Sequence, residues 1–152
     1  MDAITWKFKA FDELTIHELY QSLALRAAVF VVEQNVAYQD LDKKDLSSFH
    51  LLGIDANGNV IAYARILPAG IAYKELSIGR VIVSQNYRKN GFGRELMLQC
   101  FQNIEQQFGK VPIRISGQVY LEKFYQSLGF QSQGEFYLDD GIPHIEMLRE
   151  WK

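Results

Sequence analysis

One run constrains the fold more than any other: Ile78-Gly79-Arg80-Val81-Ile82-Val83-Ser84-Gln85-Asn86-Tyr87-Arg88-Lys89-Asn90-Gly91-Phe92-Gly93-Arg94-Glu95-Leu96-Met97. Its β-branched residues, Ile78, Val81, Ile82 and Val83, suit a buried strand over residues 77–83. A basic, glycine-bearing turn then opens a helix over 91–108, with Leu96, Leu98, Cys100, Phe101 and Ile104 available for burial and Gly109 at its close. A short strand over 113–116 follows. Strand, helix, strand in that order points to a parallel neighbour pair, because the helix returns the chain to the same end of the sheet.

The remaining segments read around this unit. Trp6, Phe8 and Ala10 alternate with Lys7 and Lys9, the period of a strand. Thr15 is placed as a helix N-cap with Glu18 completing a capping box, and Ile16, Leu19, Leu23, Ala27 and Phe30 follow at helical spacing. Residues 33–48 are polar, with Asp40, Asp42 and Asp45, and read as a loop with room for a short helix. Apolar runs over 49–54 and 60–67 flank Asn57-Gly58, a strong hairpin signal, and Pro68 stops the second run. A helix over 119–128 is closed by Gly129. Strands over 131–137 and 144–148 are joined at Asp139-Asp140-Gly141. The sum is an α/β (α+β) chain with a mixed, mostly antiparallel sheet of six or seven strands flanked by helices.

Composition narrows the function classes. A chain of 152 residues without repeats or linkers fits one domain over 1–152 with a core of its own. With 48% hydrophobic and 22% charged residues, it is not a disordered polymer. A net charge of −2 lacks the basic excess of a nucleic-acid binder, so an anionic ligand needs a local site. The lone Cys100 cannot form an internal disulfide, and no signal peptide or membrane-length apolar run is present, so a cytoplasmic protein is expected. Three scattered histidines do not suggest a metal site.

The turn from strand to helix is the best local anion site. The first N–H groups of a helix lack internal partners, and the helix dipole favours negative charge there. Gly91 and Gly93 let backbone approach a phosphate, with Arg88, Lys89 and Arg94 adding charge. A diphosphate suits such a site, although two spaced glycines can equally serve the turn alone. The run is neither a Walker loop, lacking Gly-Lys-Ser/Thr, nor a dinucleotide fingerprint, since Leu96 stands at the third glycine position.

Arg88-x-x-Gly91-x-Gly93 after a valine-ended strand resembles the pyrophosphate loop of the GNAT superfamily of N-acetyltransferases. Tyr125, two residues ahead of Leu128-Gly129-Phe130, resembles that family's second signature. Segments 29–35 and 140–145 are similar to its ElaA-type branch, so the resemblance covers nearly the whole chain. It implies a sheet splayed between its fourth and fifth strands. It implies coenzyme A bound along Val81, Ile82 and Val83, with the diphosphate on Arg88, Lys89, Asn90, Gly91, Phe92, Gly93 and Arg94. Gln118 stands near the place where many members carry an asparagine, and Ser77, with Glu75 before it, where many carry a glutamate.

The implied reaction moves an acetyl group from acetyl-CoA, a cosubstrate, to an amine. An amine attacks only when neutral, and a lysine-type amine has a pKa of about 10.4, so a base is needed. The thioester oxygen needs a donor and the departing sulfur a proton. Tyr125 is the acid the resemblance implies. Glu33, at the end of the first helix, and His144, after Gly-Ile-Pro, are candidate bases; histidine side chains change charge near neutrality. Cys100, mid-helix among apolar neighbours, is expected inert, so transfer is direct within a ternary complex rather than through an acyl-cysteine. Two alternatives stand beside this reading: a non-catalytic acyl-CoA-binding module, and an acyl-homoserine-lactone-type synthase. The acceptor amine is unassigned, neither nucleic acid nor membrane is expected as a partner, and a homodimer is left open.

Overall fold

The computed structural model describes residues 3–151, apart from the side chains of Lys89 and Asn90. Seven strands form one sheet in the order β1-β2-β3-β4-β5-β7-β6. Strand β1 (Thr5–Ala10) lies against the hairpin of β2 (Phe49–Ile54) and β3 (Val60–Leu67), and β4 (Leu76–Val83) runs antiparallel to β3. Helix α2 (Phe92–Phe108) carries the chain back to β5 (Ile113–Gln118), which is parallel to β4 as the strand–helix–strand order requires. After a 3-10 turn and the short helix α3 (Glu122–Gln126), β6 (Gln131–Asp139) and β7 (Ile142–Arg149) close the far side. Their turn, Asp140-Gly141, has φ of 50° and 79°, the paired positive angles of a tight hairpin.

Both faces of the sheet are covered, which is why β3 is buried at every position. On one face, Phe92, Leu96, Met97, Cys100, Phe101 and Ile104 of α2 pack with Leu51, Ala64, Ile78, Ile115 and Met147. Each such large apolar side chain contributes roughly 1.5–3 kcal/mol by leaving water, which makes α2 the main anchor of the fold. On the other face, a smaller cluster of Val29, Leu52, Val60, Tyr63 and Ile82 lies beneath α1 (Ile16–Arg26).

Helix α1 starts where its capping box predicts: the Glu18 amide donates to Thr15 Oγ1 at 3.0 Å and the Thr15 amide to Glu18 Oε1 at 2.9 Å. Its buried stripe differs from the apolar periodicity. Ile16 is 80% exposed and Ala27 is exposed, whereas Glu18, Ser22 and Arg26 are buried. These polar groups are satisfied: Lys9 pairs with Glu18, Ser22 Oγ donates to the Glu18 carbonyl, and Arg26 pairs with two aspartates. After Arg26 the helix widens into π turns over Ala27–Glu33, as the Gln34 amide donating to Val29 O at 3.1 Å marks. The helix expected over 119–128 is broken into a 3-10 turn, Val119–Leu121, and α3. Among the described residues no helix is long and apolar enough to cross a membrane.

Candidate active site

Strands β4 and β5 pair only at Leu76–Ile113 and Ser77–Arg114, and then diverge. The divergence opens a cleft of about 220 Å³. Its walls include Gly79, Arg80 and Val81 of β4, Ile115 and Gln118 of β5, Tyr125 of α3 and His144 of β7. The Ser84 amide donates to Ile61 O at 2.7 Å, which fixes the alternation along β4. Ile82 therefore spends its N–H and C=O on β3, while Val81 and Val83 turn theirs to the open side. Arg88 Nε donates to the Val83 carbonyl at 3.0 Å on that open side.

Beyond Val83 a 3-10 turn, Gln85–Asn90, leads to Gly91, whose φ of 75° is the left-handed geometry that glycine accepts readily. Gly91, the N-cap, has no side chain to cap the start of α2, no side-chain cap is made there among the described residues, and a Cβ built on Gly91 or Gly93 would meet nothing within 4 Å. Free helix-start amides beside open space fit a diphosphate. The surrounding charge is less than the sequence implies. Arg88 gives both guanidinium arms to Glu33, at 2.5 and 2.7 Å. Arg94 donates to Ser127 Oγ at 3.2 Å. The Lys89 and Asn90 side chains lie outside the described residues.

Tyr125 is 7% exposed and lines the cleft. Its ring is wedged edge-on against Phe124 and Phe130, with centroids 5.3 and 5.8 Å away. Gly117 of β5 makes room for it: a Cβ there would come within 3.1 and 3.2 Å of two ring carbons. Burial pushes the Tyr125 phenol well above its ordinary pKa, so it stays protonated. His144 lies on the same cleft with its ring stacked on Tyr137. Its Nδ1 lies 2.8 Å from the Ile142 carbonyl. A carbonyl only accepts, so Nδ1 carries the hydrogen and the neutral ring keeps its lone pair on Nε2. Among the described residues Nε2 has no hydrogen-bond partner. Tyr137 meets Ser116 by a hydroxyl contact, and burial pushes the neighbouring Tyr73 phenol up to about 12.

Glu33 is not among the residues lining this cleft. Its hydrogen bonds to the Arg88 guanidinium hold its carboxyl below the ordinary carboxylate range. Structure thus brings Tyr125 and His144 to one cavity and sends Glu33 to the glycine turn. Cys100 is completely buried in the α2 core, away from the cleft lining, and desolvation pushes its thiol far up, which keeps it uncharged.

A network absent from the sequence reading closes the other wall. Arg26 donates to Asp40 at 2.9 Å and to Asp45 at 2.8 Å. Arg65 of β3 donates to Asp42 at 2.8 Å and to Asp45 at 3.0 Å, and Arg80 of β4 to Asp40 at 2.7 Å. These three aspartates are neutralised in place, which leaves Asp139 and Asp140 as the carboxylates of the cleft lining. The signal was present: an arginine inside the otherwise apolar run of β3 needs a buried partner.

The family model described as acetyltransferase (GNAT) domain matches residues 16–150. A UPF0039 protein of Schizosaccharomyces pombe is 42% identical over 151 residues, which cover 99% of each chain. Protein ElaA of Escherichia coli is 43% identical over 149 residues, 97% of each. The ElaA crystal structure superposes with a TM-score of 0.91, covering 97% of this chain and 100% of that one at 42% identity. The crystal structure of an acyl-CoA N-acyltransferase from Pseudomonas aeruginosa superposes with a TM-score of 0.92, covering 97% and 99% at 38% identity.

Proposed function

The chain belongs to the GNAT acetyltransferase family, in its ElaA-like branch, and from that premise we propose that it transfers acetyl from acetyl-CoA directly to a primary amine in a ternary complex. The observation that carries this reading is the β4–β5 gap, which has open strand backbone on one wall and a buried phenol and a free imidazole nitrogen on the others. Bound acetyl-CoA supplies the electrophilic thioester and the sulfur leaving group. The start of α2, Phe92 to Arg94 with Gly91, holds the diphosphate on its amides, and the gap-side groups of Val81 and the Val83 N–H, the Val83 carbonyl being taken by Arg88, hold the pantetheine arm.

His144 Nε2 takes a proton from the attacking amine. The amine nitrogen bonds to the acyl carbon as the carbon–sulfur bond breaks, and the electron pair leaves on sulfur. Val81 offers its N–H to the thioester oxygen as charge grows there. Tyr125 gives its proton to the sulfur, and the second proton that the nitrogen sheds as the amide forms returns to the Tyr125 oxygen, so the phenol is restored and one proton is left on His144. Burial keeps the Tyr125 phenol protonated and so able to donate. Asp139 and Asp140 at the acceptor end favour an amine that arrives as an ammonium ion. Glu33 serves the site by holding Arg88, and His144 takes the role of base. The non-catalytic alternative leaves a buried phenol beside an open strand edge without a use.

The test is release of CoA thiol from acetyl-CoA across a panel of primary amines, with Tyr125→Phe beside the parent. General acid catalysis contributes about 100- to 10,000-fold, so the variant loses that much in kcat while binding acetyl-CoA nearly as the parent does. Parental kcat in a folded Tyr125→Phe protein removes the tyrosine from the mechanism. Absence of turnover with every amine, with CoA still bound, leaves the binding module instead.

A further inference from the structure

Arg80 has a φ of 52°, left-handed backbone that a residue with a Cβ avoids. Gly79 stands next to it, yet the permissive residue is not the one in the demanding position. The register explains what the conformation accomplishes. Gly79 pairs with Arg65 and Ile82 with Tyr63, so Arg80 and Val81 together face the single residue Ala64 in a β-bulge. In a regular ladder continued from Gly79–Arg65, Val81 would stand opposite Tyr63 and spend its N–H on β3. The bulge gives that place to Ile82 and leaves the Val81 N–H on the side of the β4–β5 gap.

What holds Arg80 is its side chain. Nε donates to Asp40 Oδ1 at 2.7 Å and Nη2 to the Asp40 carbonyl at 3.0 Å. The guanidinium also lies over the rings of Phe30 and Tyr38, at 6.0 and 5.7 Å. Asp40 is braced from behind by Arg26 Nε at 2.9 Å and by the Tyr38 hydroxyl at 2.8 Å. The anchor therefore belongs to the polar loop and to α1, not to β4 itself.

We propose that Asp40 is a positioning residue for acyl transfer: by holding Arg80 in left-handed backbone it fixes the β4 bulge that presents the Val81 N–H to the thioester oxygen. The inference rests on the acyl-CoA reading of the gap. It separates the backbone role of Arg80 from its charge, because glycine adopts positive φ without an anchor whereas valine resists it.

Kinetics with the best amine of the panel and hydrogen exchange over β4 are measured on Arg80→Gly, Arg80→Val, Asp40→Ala and Asp40→Ala/Arg80→Gly. Losing the anchor releases Arg80 by the disfavour of left-handed backbone, about 5- to 30-fold. Arg80→Val and Asp40→Ala lose kcat on that scale, acetyl-CoA affinity changes less, and exchange over residues 79–83 quickens. Arg80→Gly loses much less kcat than Arg80→Val, and the double variant recovers most of what Asp40→Ala loses. Arg80→Gly as impaired as Arg80→Val, or a double variant without recovery, overturns the proposal. If no amine turns over in the parent, the acyl-transfer reading falls, and exchange still decides the positioning role. Parental exchange in Asp40→Ala refutes it; faster exchange reversed by Arg80→Gly upholds it.

Discussion

Gly117→Ala tests whether the placement of Tyr125 limits the chemistry. The added Cβ would sit 3.1 Å from Tyr125 Cδ2 and 3.2 Å from Cε2. Relief requires a displacement of a few tenths of an ångström. The ring has little freedom to retreat, since Phe124 and Phe130 close on it edge-on and it is almost fully buried. Overpacking of this kind costs about 1–3 kcal/mol of stability. A 1 Å misplacement of a catalytic group costs on the order of 100-fold, so a third of that distance costs roughly 3- to 10-fold in kcat.

The decisive arm is the double variant. Tyr125→Phe keeps the ring, so the clash and its stability cost remain, but the hydroxyl whose position matters is gone. Gly117→Ala should therefore lower the urea midpoint equally in both backgrounds and lower kcat only where the hydroxyl is present. An equal fractional loss of kcat in the Tyr125→Phe background would refute the reasoning, because the strain would then act through β5 or the pantetheine channel rather than through the phenol.

Three further outcomes are expected. Gly91→Asp should abolish CoA binding by calorimetry, whereas Gly91→Asn, which also tolerates a φ of 75° but adds no charge, should retain most of it; equal affinities would move the diphosphate elsewhere. Cys100→Ala should cost about 1 kcal/mol by leaving a small cavity and should keep turnover; loss of activity in the folded variant, with acetylated Cys100 trapped in the parent, would mean a covalent route. His50 is buried between the Tyr63 hydroxyl and the Asp45 carbonyl, and desolvation lowers its pKa from the ordinary 6.5. The unfolded chain then takes up the proton first, so this contribution is complete above pH 6.5 and declines as pH falls below it, by at most about 1.4 kcal/mol per unit. His50→Gln should be less stable at pH 7.5 and should lose that slope in urea midpoints down to pH 5.5; an unchanged slope would assign it to other groups.

The elements that local pattern could reveal are those whose stabilising contacts are close in sequence or repeat with a simple period. The capping box at Thr15, the hairpin turns and the apolar face of α2, apart from Leu98, which is expected inside and stands half exposed, are of that kind, and the family motifs added the splay between β4 and β5. The acidic loop was illegible for a physical reason. Asp40, Asp42 and Asp45 look like solvated turn residues until arginines on α1, β3 and β4 reach them from 14 to 40 positions away. No periodicity encodes such a pairing, although burial does: a guanidinium amid the apolar residues of β3, or on the inner stripe of α1, is too costly without a carboxylate. The same blindness applies to Glu33, read as facing the amine because it ends a helix, and found clasping the arginine of the glycine turn. In both cases the anionic partner belongs to the segment after α1, and, Arg26 of α1 apart, the cations lie on β3, β4 and the glycine turn. That segment therefore acts on the site through the backbone it restrains, by way of Arg80 at the bulge and Arg88 at the helix start, more than through charge offered to a substrate.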